Sequence, residues 1–334
     1  CALEGGSAAV LTSSGQAATF FSVFNIAGVG DHVVASSTIY GGSFNLFAVT
    51  MKRMGVEFTF VDPDCSDEEL EAAFRPNTKA VFGETIANPA LIVFDIERFA
   101  NAAHAHGVPL IVDNTFATPI NCRPIEWGAD IVTHSTTKYM DGLTTPDESY
   151  HGVVYAEKFG QGGAYINKIV AQLMRDLGPI PAPMNSYMLN LGLESLHVRM
   201  PRHCENALAV AKFLEAHDKI AWVNYPGLES SKYYERAKKY MPDGTCGVVS
   251  FGVKGGRAAA EAFMKELKVA MIATHVADAH TCVLHPASAT HRQMNDEELL
   301  AAGVSPDLVR LSVGIENVKD IIADLENALD KVQI

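Results

Sequence analysis

Short apolar runs and longer amphipathic stretches alternate along the first 135 residues. Val33-Val34-Ala35, Phe58-Thr59-Phe60-Val61, Ala80-Val81-Phe82, Leu110-Ile111-Val112 and Ile131-Val132 read as strands. Between them, Ala17 to Ile26, Phe44 to Met54, Asp67 to Phe74 and Ile96 to His106 read as helices. Regular strand–helix alternation predicts an α/β fold with a doubly wound, mostly parallel sheet. Such sheets place their chemistry at the carboxyl ends of their strands.

The rhythm changes near residue 180. Gly178-Pro179-Ile180-Pro181-Ala182-Pro183 interrupts it, and a long helical stretch runs on to about Ala216. Beyond lie strands (Gly247 to Val253, Leu308 to Val313) and helices (Ala258 to Leu267, Val318 to Val332). The expected organisation is a large domain over residues 1–200 and a smaller C-terminal α/β domain over residues 201–334, joined by the long helix. The opening Cys1-Ala2-Leu3-Glu4-Gly5-Gly6 reads as the end of a helix, with a preceding segment expected.

Composition narrows the function classes. The 334 residues are 48% hydrophobic and 19% charged, the profile of a soluble globular protein with a substantial core. No apolar run reaches the roughly 20 residues of a membrane helix. A formal net charge of −13 disfavours nucleic acid and anionic membrane as partners. The six cysteines are scattered without a Cys-x-x-Cys pair, so a cytoplasmic location is expected and a zinc knuckle is not. His285 and His291 lack useful ligand spacing, and no metal site is expected. Tyr233, Tyr234 and Tyr240 lie in a Lys-rich helix and read as part of a solvated face.

Three features point to chemistry. The apolar strand at Val108 to Val112 ends in Asp113, a carboxylate that wants a cationic partner if buried. The next strand runs into His134-Ser135-Thr136-Thr137-Lys138, where an amine that can form a Schiff base follows hydroxyls that can hold a phosphate. Thr12-Ser13-Ser14-Gly15-Gln16-Ala17-Ala18 opens a helix whose free N–H groups form an anion site. Taken singly, Asp113 reads as a cap, Lys138 as a solvated loop lysine and Ser14 as an N-cap. Together they supply what pyridoxal 5′-phosphate needs: an anion for its ring nitrogen, an amine for its aldehyde and a cradle for its phosphate. A nicotinamide dehydrogenase shares the fold class, but the chain lacks a Gly-x-Gly-x-x-Gly after its first strand. A non-catalytic scaffold has no use for this combination.

The chain resembles the pyridoxal-phosphate-dependent Cys/Met-metabolism family. The resemblance rests on Ser13 to Ala18, Tyr40-Gly41-Gly42, Glu84 to Pro89, Val112 to Thr115, His134 to Tyr139, His285 to Ser288 and Arg310 to Glu316, in order along the chain. It implies pyridoxal-phosphate fold type I, the aspartate-aminotransferase-like architecture. It also implies roles. Lys138 would carry the cofactor and shuttle protons, Asp113 would keep the pyridine nitrogen protonated, and Tyr40 would stack on the ring and share in catalysis. Ser14, Gly15, Gln16, Ser135 and Thr137 would hold the phosphate. Asn88 would face the ring oxygen and the substrate. Arg310, with Asn88 and Ala277, would receive the substrate carboxylate, for which a guanidinium is the bidentate partner. A homotetramer with active sites shared between subunits is expected.

Within that family, Ser37 to Phe47 resembles O-acetylhomoserine sulfhydrylase, as do Ser149 to Gly152 and the stretch from His275-Val276-Ala277-Asp278 through His291-Arg292-Gln293. Methionine γ-lyases usually carry a cysteine where this chain has Gly42. The implied reaction is γ-replacement: O-acetyl-L-homoserine and a sulfur nucleophile give L-homocysteine, or methionine, plus acetate. Sulfide, methanethiol or a thiocarboxylated carrier protein would supply the sulfur. Methionine γ-lyase and cystathionine γ-synthase or lyase remain alternatives. The chain departs from the family after Gly142, passing from Leu143-Thr144-Thr145 to Pro146-Asp147 without the usual loop and returning strand. A discontinuity between Thr145 and Pro146 is expected, with a Cα separation well beyond ~3.8 Å.

Overall fold

The computed structural model describes residues 1–135, 165–167, 169–178, 180–289, 299 and 304–332. Thr145, Pro146, Thr137, Lys138 and His291 lie outside the described residues. Two compact units are present, Cys1–Thr85 with Phe94–Leu196, and Ile86–Val93 with His197–Ile334. The short stretch Ile86–Val93 thus joins a unit whose main part begins more than a hundred residues later.

The first unit is built on strands β1 (His32–Ser36), β2 (Glu57–Val61), β3 (Thr78–Glu84), β4 (Leu110–Asp113) and β5 (Ile131–Thr133). All pairings are parallel, in the order β2-β1-β3-β4-β5. This is the doubly wound order with its switch point between β1 and β3. The central strands are apolar because the sheet is covered on both faces; Val33, Ala35, Ala80, Phe82 and Ile111 are fully buried. Helices α1 (Gly15–Phe24), α2 (Gly41–Asn45), α3 (Asp67–Ala72) and α4 (Ile96–Ala105) accompany it. A capping box starts α3, with Ser66 accepting from Glu69 N and Glu69 returning the bond to Ser66 N.

The helix expected over Phe44 to Met54 begins earlier and changes type. After α2 the chain widens into a π-helical segment, Leu46–Met51. Packing accompanies the change: Phe47 stacks on Phe58 at 4.7 Å and meets Phe82 edge-on at 4.9 Å.

His32 opens β1 with both ring nitrogens engaged, Nδ1 with Thr78 Oγ1 at 2.8 Å and Nε2 with Thr59 Oγ1 at 2.9 Å. Burial, helped by Arg75 and opposed by Glu57, lowers its pKa from 6.5 to about 4. The unfolded chain therefore binds an extra proton between those values, so stability falls as pH drops from about 6.5 towards 4. The loss should reach about 2–3 kcal/mol at most. Urea unfolding at pH 7 and pH 4.5 checks this. His32→Gln, which cannot titrate, should lose less over the same interval, and equal losses would count against the assignment.

The second unit holds β6 (Ile220–Asn224), β7 (Val248–Val253), β8 (Met271–Ile272), β9 (Cys282–Leu284) and β10 (Leu308–Ser312) in the order β6-β7-β10-β9-β8. Its pairings are antiparallel except β8 with β9. The long helix α5 (Pro183–Ala216) begins in the first unit and ends in the second. Helices α6 (Tyr234–Tyr240), α7 (Gly256–Glu266) and α8 (Val318–Lys331) complete the fold. The solvated face expected at Tyr233, Tyr234 and Tyr240 needs correction. Tyr233, Ala237 and Tyr240 are buried, while Lys238 and Lys239 are exposed. Residues three and four apart share a helix face, so the two ends of this pattern turn inward with Ala237.

None of the six cysteines forms a disulfide among the described residues. No helix among the described residues is long and apolar enough to cross a membrane.

Candidate active site

Of the expected cofactor residues, Ser14, Gly15, Gln16, Tyr40, Asp113 and Ser135 lie at the carboxyl edge of the first unit's sheet, Asn88 belongs to the second unit, and Thr137 and Lys138 lie outside the described residues. Ser14 caps α1, its Oγ accepting from Ala17 N at 3.0 Å. The capping bond leaves the Ser14 hydroxyl proton available to a ligand. Gly15 follows, and a Cβ built there would stand 2.5 Å from Ser135 Cβ. Only a glycine lets the opening turn of α1 approach the end of β5 this closely. Gln16 accepts from Ser43 Oγ at 3.4 Å. The result is a pair of backbone N–H groups at a helix N-terminus beside the Ser135 hydroxyl, a suitable phosphate cradle. Gly15→Ala should therefore weaken cofactor binding roughly tenfold or more, about 1.4 kcal/mol. Titrating the apo-protein with pyridoxal phosphate checks this, with circular dichroism to verify folding; an unchanged Kd would count against the cradle.

Tyr40 precedes α2 and donates its backbone N–H to Glu84 Oε1 at 2.7 Å. The residue is 51% exposed. The ring lies over Gly42, where an added Cβ would come within 2.5 Å of Tyr40 Cε1 and 2.9 Å of Gln16 Nε2. A larger residue at position 42 would displace the tyrosine.

Asp113 ends β4, paired in register with Glu84 on β3 and Thr133 on β5. Its Oδ1 accepts from Thr115 N at 2.9 Å and from Thr115 Oγ1 at 2.5 Å. Burial pushes the carboxyl upward in pKa, against the lowering effects of the Thr115 bonds and of His134. A buried acid with this tendency suits a cationic partner such as a protonated pyridine nitrogen. Ser135 is tied in through its backbone N–H, which donates to Thr115 Oγ1 at 2.7 Å.

The expected substrate residues lie in the second unit. Arg310 sits on β10 with 7% exposure, and its Nη2 donates to Thr274 O at 2.9 Å and His275 O at 3.3 Å. Its Nη1 reaches Asn88 Oδ1 at 3.4 Å. Asn88 belongs to Ile86–Val93, which Ser250 holds through Pro89 O at 2.8 Å and Arg236 holds through Val93 O at 2.8 Å. Asn224 Nδ2 also donates to Ala90 O. Ala277 has a left-handed backbone, φ 70°, and donates its N–H to Ser312 Oγ at 2.8 Å. His285 has both nitrogens occupied, by Ser288 Oγ and by Pro306 O, each at 2.8 Å.

Comparison with known proteins adds to this geometry. The family model for Cys/Met metabolism PLP-dependent enzymes matches residues 1–330. The chain belongs to that family. It is therefore a pyridoxal-phosphate enzyme, and the Asp113 carboxylate, the Gly15–Ser135 cradle and the Tyr40 ring fit that cofactor.

Among relatives of this family member, the homocysteine/cysteine synthase of Saccharomyces cerevisiae is 43% identical, over 99% of this chain and 82% of its own length. The O-acetyl-L-homoserine sulfhydrylase of Leptospira meyeri is 42% identical with the same coverages. A solved chain described as an O-acetylhomoserine (thiol)-lyase from Campylobacter jejuni superposes with a TM-score of 0.92 at 35% identity, over 99% of this chain and 84% of its own. That structure carries a pyridoxyl-lysine phosphate. The yeast alignment runs over 368 residues against 334 here, so the relative has residues within the matched stretch that lack a counterpart.

Sequence reasoning missed Glu84, Thr115 and Glu4. Glu84 ends an apolar strand as Asp113 does, and that signal was available. Thr115 lies within the Val112 to Thr115 stretch and was given no role there, while Glu4 gave no signal because its partners Asn114 and His134 are distant in sequence.

Proposed function

We propose that this enzyme exchanges the acetate of O-acetyl-L-homoserine for a sulfur nucleophile, yielding L-homocysteine with sulfide or methionine with methanethiol. The supporting observation is the 41–45% identity, across nearly the whole chain, to proteins named homocysteine synthase, homocysteine/cysteine synthase or O-acetyl-L-homoserine sulfhydrylase. The γ carbon–oxygen bond breaks, acetate leaves with the electron pair, and a carbon–sulfur bond forms, so no oxidant or reductant is needed. When bound, the cofactor supplies an electron sink that acidifies the substrate's α and β C–H bonds.

The protein's own residues do the rest. Asp113 holds a proton on the ring nitrogen, Tyr40 covers the ring, and Ser14, Gly15, Gln16, Ser135 and Thr137 hold the phosphate. Lys138 removes and returns protons at the α and β carbons. Arg310 receives the substrate carboxylate beside Asn88 and Ala277. Arg310→Lys should lose the forked geometry and weaken capture by ~1–3 kcal/mol, read as a drop in kcat/KM. An unchanged value would remove Arg310 from the role.

The cellular setting belongs to the same reading: methionine biosynthesis in a cytoplasm, with sulfide, methanethiol or a thiocarboxylated carrier protein as donor. A homotetramer belongs to the same reading, and an exposed apolar stripe on α5, formed by Met184, Tyr187, Met188 and Leu191 at helical spacing, supports self-association. Product analysis tests the reaction. Homocysteine and acetate should form from O-acetylhomoserine and sulfide. Release of methanethiol from methionine alone, without that synthesis, would favour the lyase reading instead.

A further inference from the structure

Glu4 has no role in the reading above, yet its side chain is 13% exposed, an unusual place for a carboxylate. It lies in a turn that Gly5 closes by donating to Cys1 O at 2.9 Å. Glu4 Oε1 meets His134 Nε2 at 2.6 Å and accepts from Asn114 Nδ2 at 2.9 Å, partners 130 and 110 residues along the chain. Asn114 directly follows Asp113, and His134 directly precedes Ser135. Ser135 N donates to Thr115 Oγ1, which donates to Asp113 Oδ1. Hydrogen bonds and peptide links therefore close a ring: Glu4, His134, Ser135, Thr115, Asp113, Asn114 and back to Glu4.

Two buried atoms of this ring, Glu4 Oε2 and His134 Nδ1, have no hydrogen-bond partner among the described residues. An enclosed carboxylate with one oxygen unbonded is poor structural filler, since an apolar residue would stabilise the same space better. Its placement makes sense if it serves the groups it ties together. A further titratable neighbour is Cys122, whose buried thiol Glu4 helps to keep protonated and whose carbonyl accepts from Asn114 Nδ2 at 2.8 Å.

We propose that Glu4 is a positioning residue for the cofactor. It grips the ends of β4 and β5 through Asn114 and His134, and so fixes Asp113 and Ser135 at the separation that the ring nitrogen and phosphate of pyridoxal phosphate require. It also holds the His134 ring where it acts on Asp113, opposing the effect of burial. The inference rests on the reading of Asp113 and Ser135 as cofactor ligands.

The experiment compares apo forms of the full chain, wild type, Glu4→Gln, Glu4→Ala and Asp113→Asn, each titrated with pyridoxal phosphate. Three quantities are read: Kd, the pH midpoint of the bound cofactor's visible absorbance, and the melting temperature of the apo-protein. Glu4→Gln should weaken binding roughly tenfold and displace the midpoint, because a charged hydrogen-bond partner is lost. Glu4→Ala should do at least as much; if it does not fold, Glu4→Gln decides alone. A lower melting temperature with wild-type Kd and midpoint in Glu4→Gln would overturn the proposal and leave Glu4 as packing. Wild-type behaviour of Glu4→Gln beside an impaired Asp113→Asn overturns this proposal alone. Wild-type behaviour of both overturns the cofactor-ligand reading with it.

Discussion

Asp113→Asn is expected to give a folded protein that still loads cofactor but exchanges the substrate's Cα proton with solvent roughly 10²–10³-fold more slowly. That is the scale for losing one preorganised electrostatic partner from a buried site. The carboxylate ends β4 and takes two hydrogen bonds from Thr115 on Oδ1. An amide keeps an acceptor there but cannot hold a proton on the pyridine nitrogen, so the electron sink weakens while the fold survives. Deuterium incorporation from heavy water measures the effect, and a native exchange rate would contradict the role. The apo-protein should respond in the opposite sense. Burial raises the folded pKa of Asp113 above 3.8, so its ionised form destabilises the apo fold. That destabilisation sets in as pH rises past 3.8 and is complete above the folded value. Asn at this position removes it, and the apo variant should melt no lower than wild type at neutral pH.

Lys138→Ala is expected to abolish turnover, with a loss of at least about 10³-fold, because one side chain carries both the covalent link and the proton transfers. The motif supports the assignment: Lys138 follows Ser135 and two further hydroxyl residues immediately after β5. Reduction of the wild-type holoenzyme with borohydride, followed by peptide mapping, should place the pyridoxyl group on a peptide containing Lys138. A label on any other lysine would sink the assignment. External amines should restore part of the activity of the alanine variant, as expected when a missing base is supplied from solution.

Much of the first unit was legible because its signals are local. Five apolar runs became five parallel strands, and each grew by a residue or more where hydrogen-bonded pairing extends past the apolar core. His32 and Thr133 are such extensions, polar ends that no hydrophobic pattern marks. The second unit was less legible. β6, β8 and β9 are short or partly exposed and were missed, since their pairing partners and not their own sequences hold them in the sheet. The Tyr233–Tyr240 face was misread for a related reason: flanking lysines signal solvent, while the buried side is chosen by what packs against it.

By itself the sequence determined the alternation of strands and helices, the family, and the residue types of the site. These depend on periodicity and on motifs within a few neighbouring positions. Tertiary structure alone decided that Ile86–Val93 joins the second unit, bringing Asn88 to Arg310 across 222 positions of chain. It also decided that Gly15 is a contact with Ser135 and not simply a helix start, and that Glu4 closes a ring around Asp113. A hydrogen bond depends on the separation of atoms in space, and nothing in the local composition of Glu4 or Asn88 encodes which distant strand end will arrive beside it.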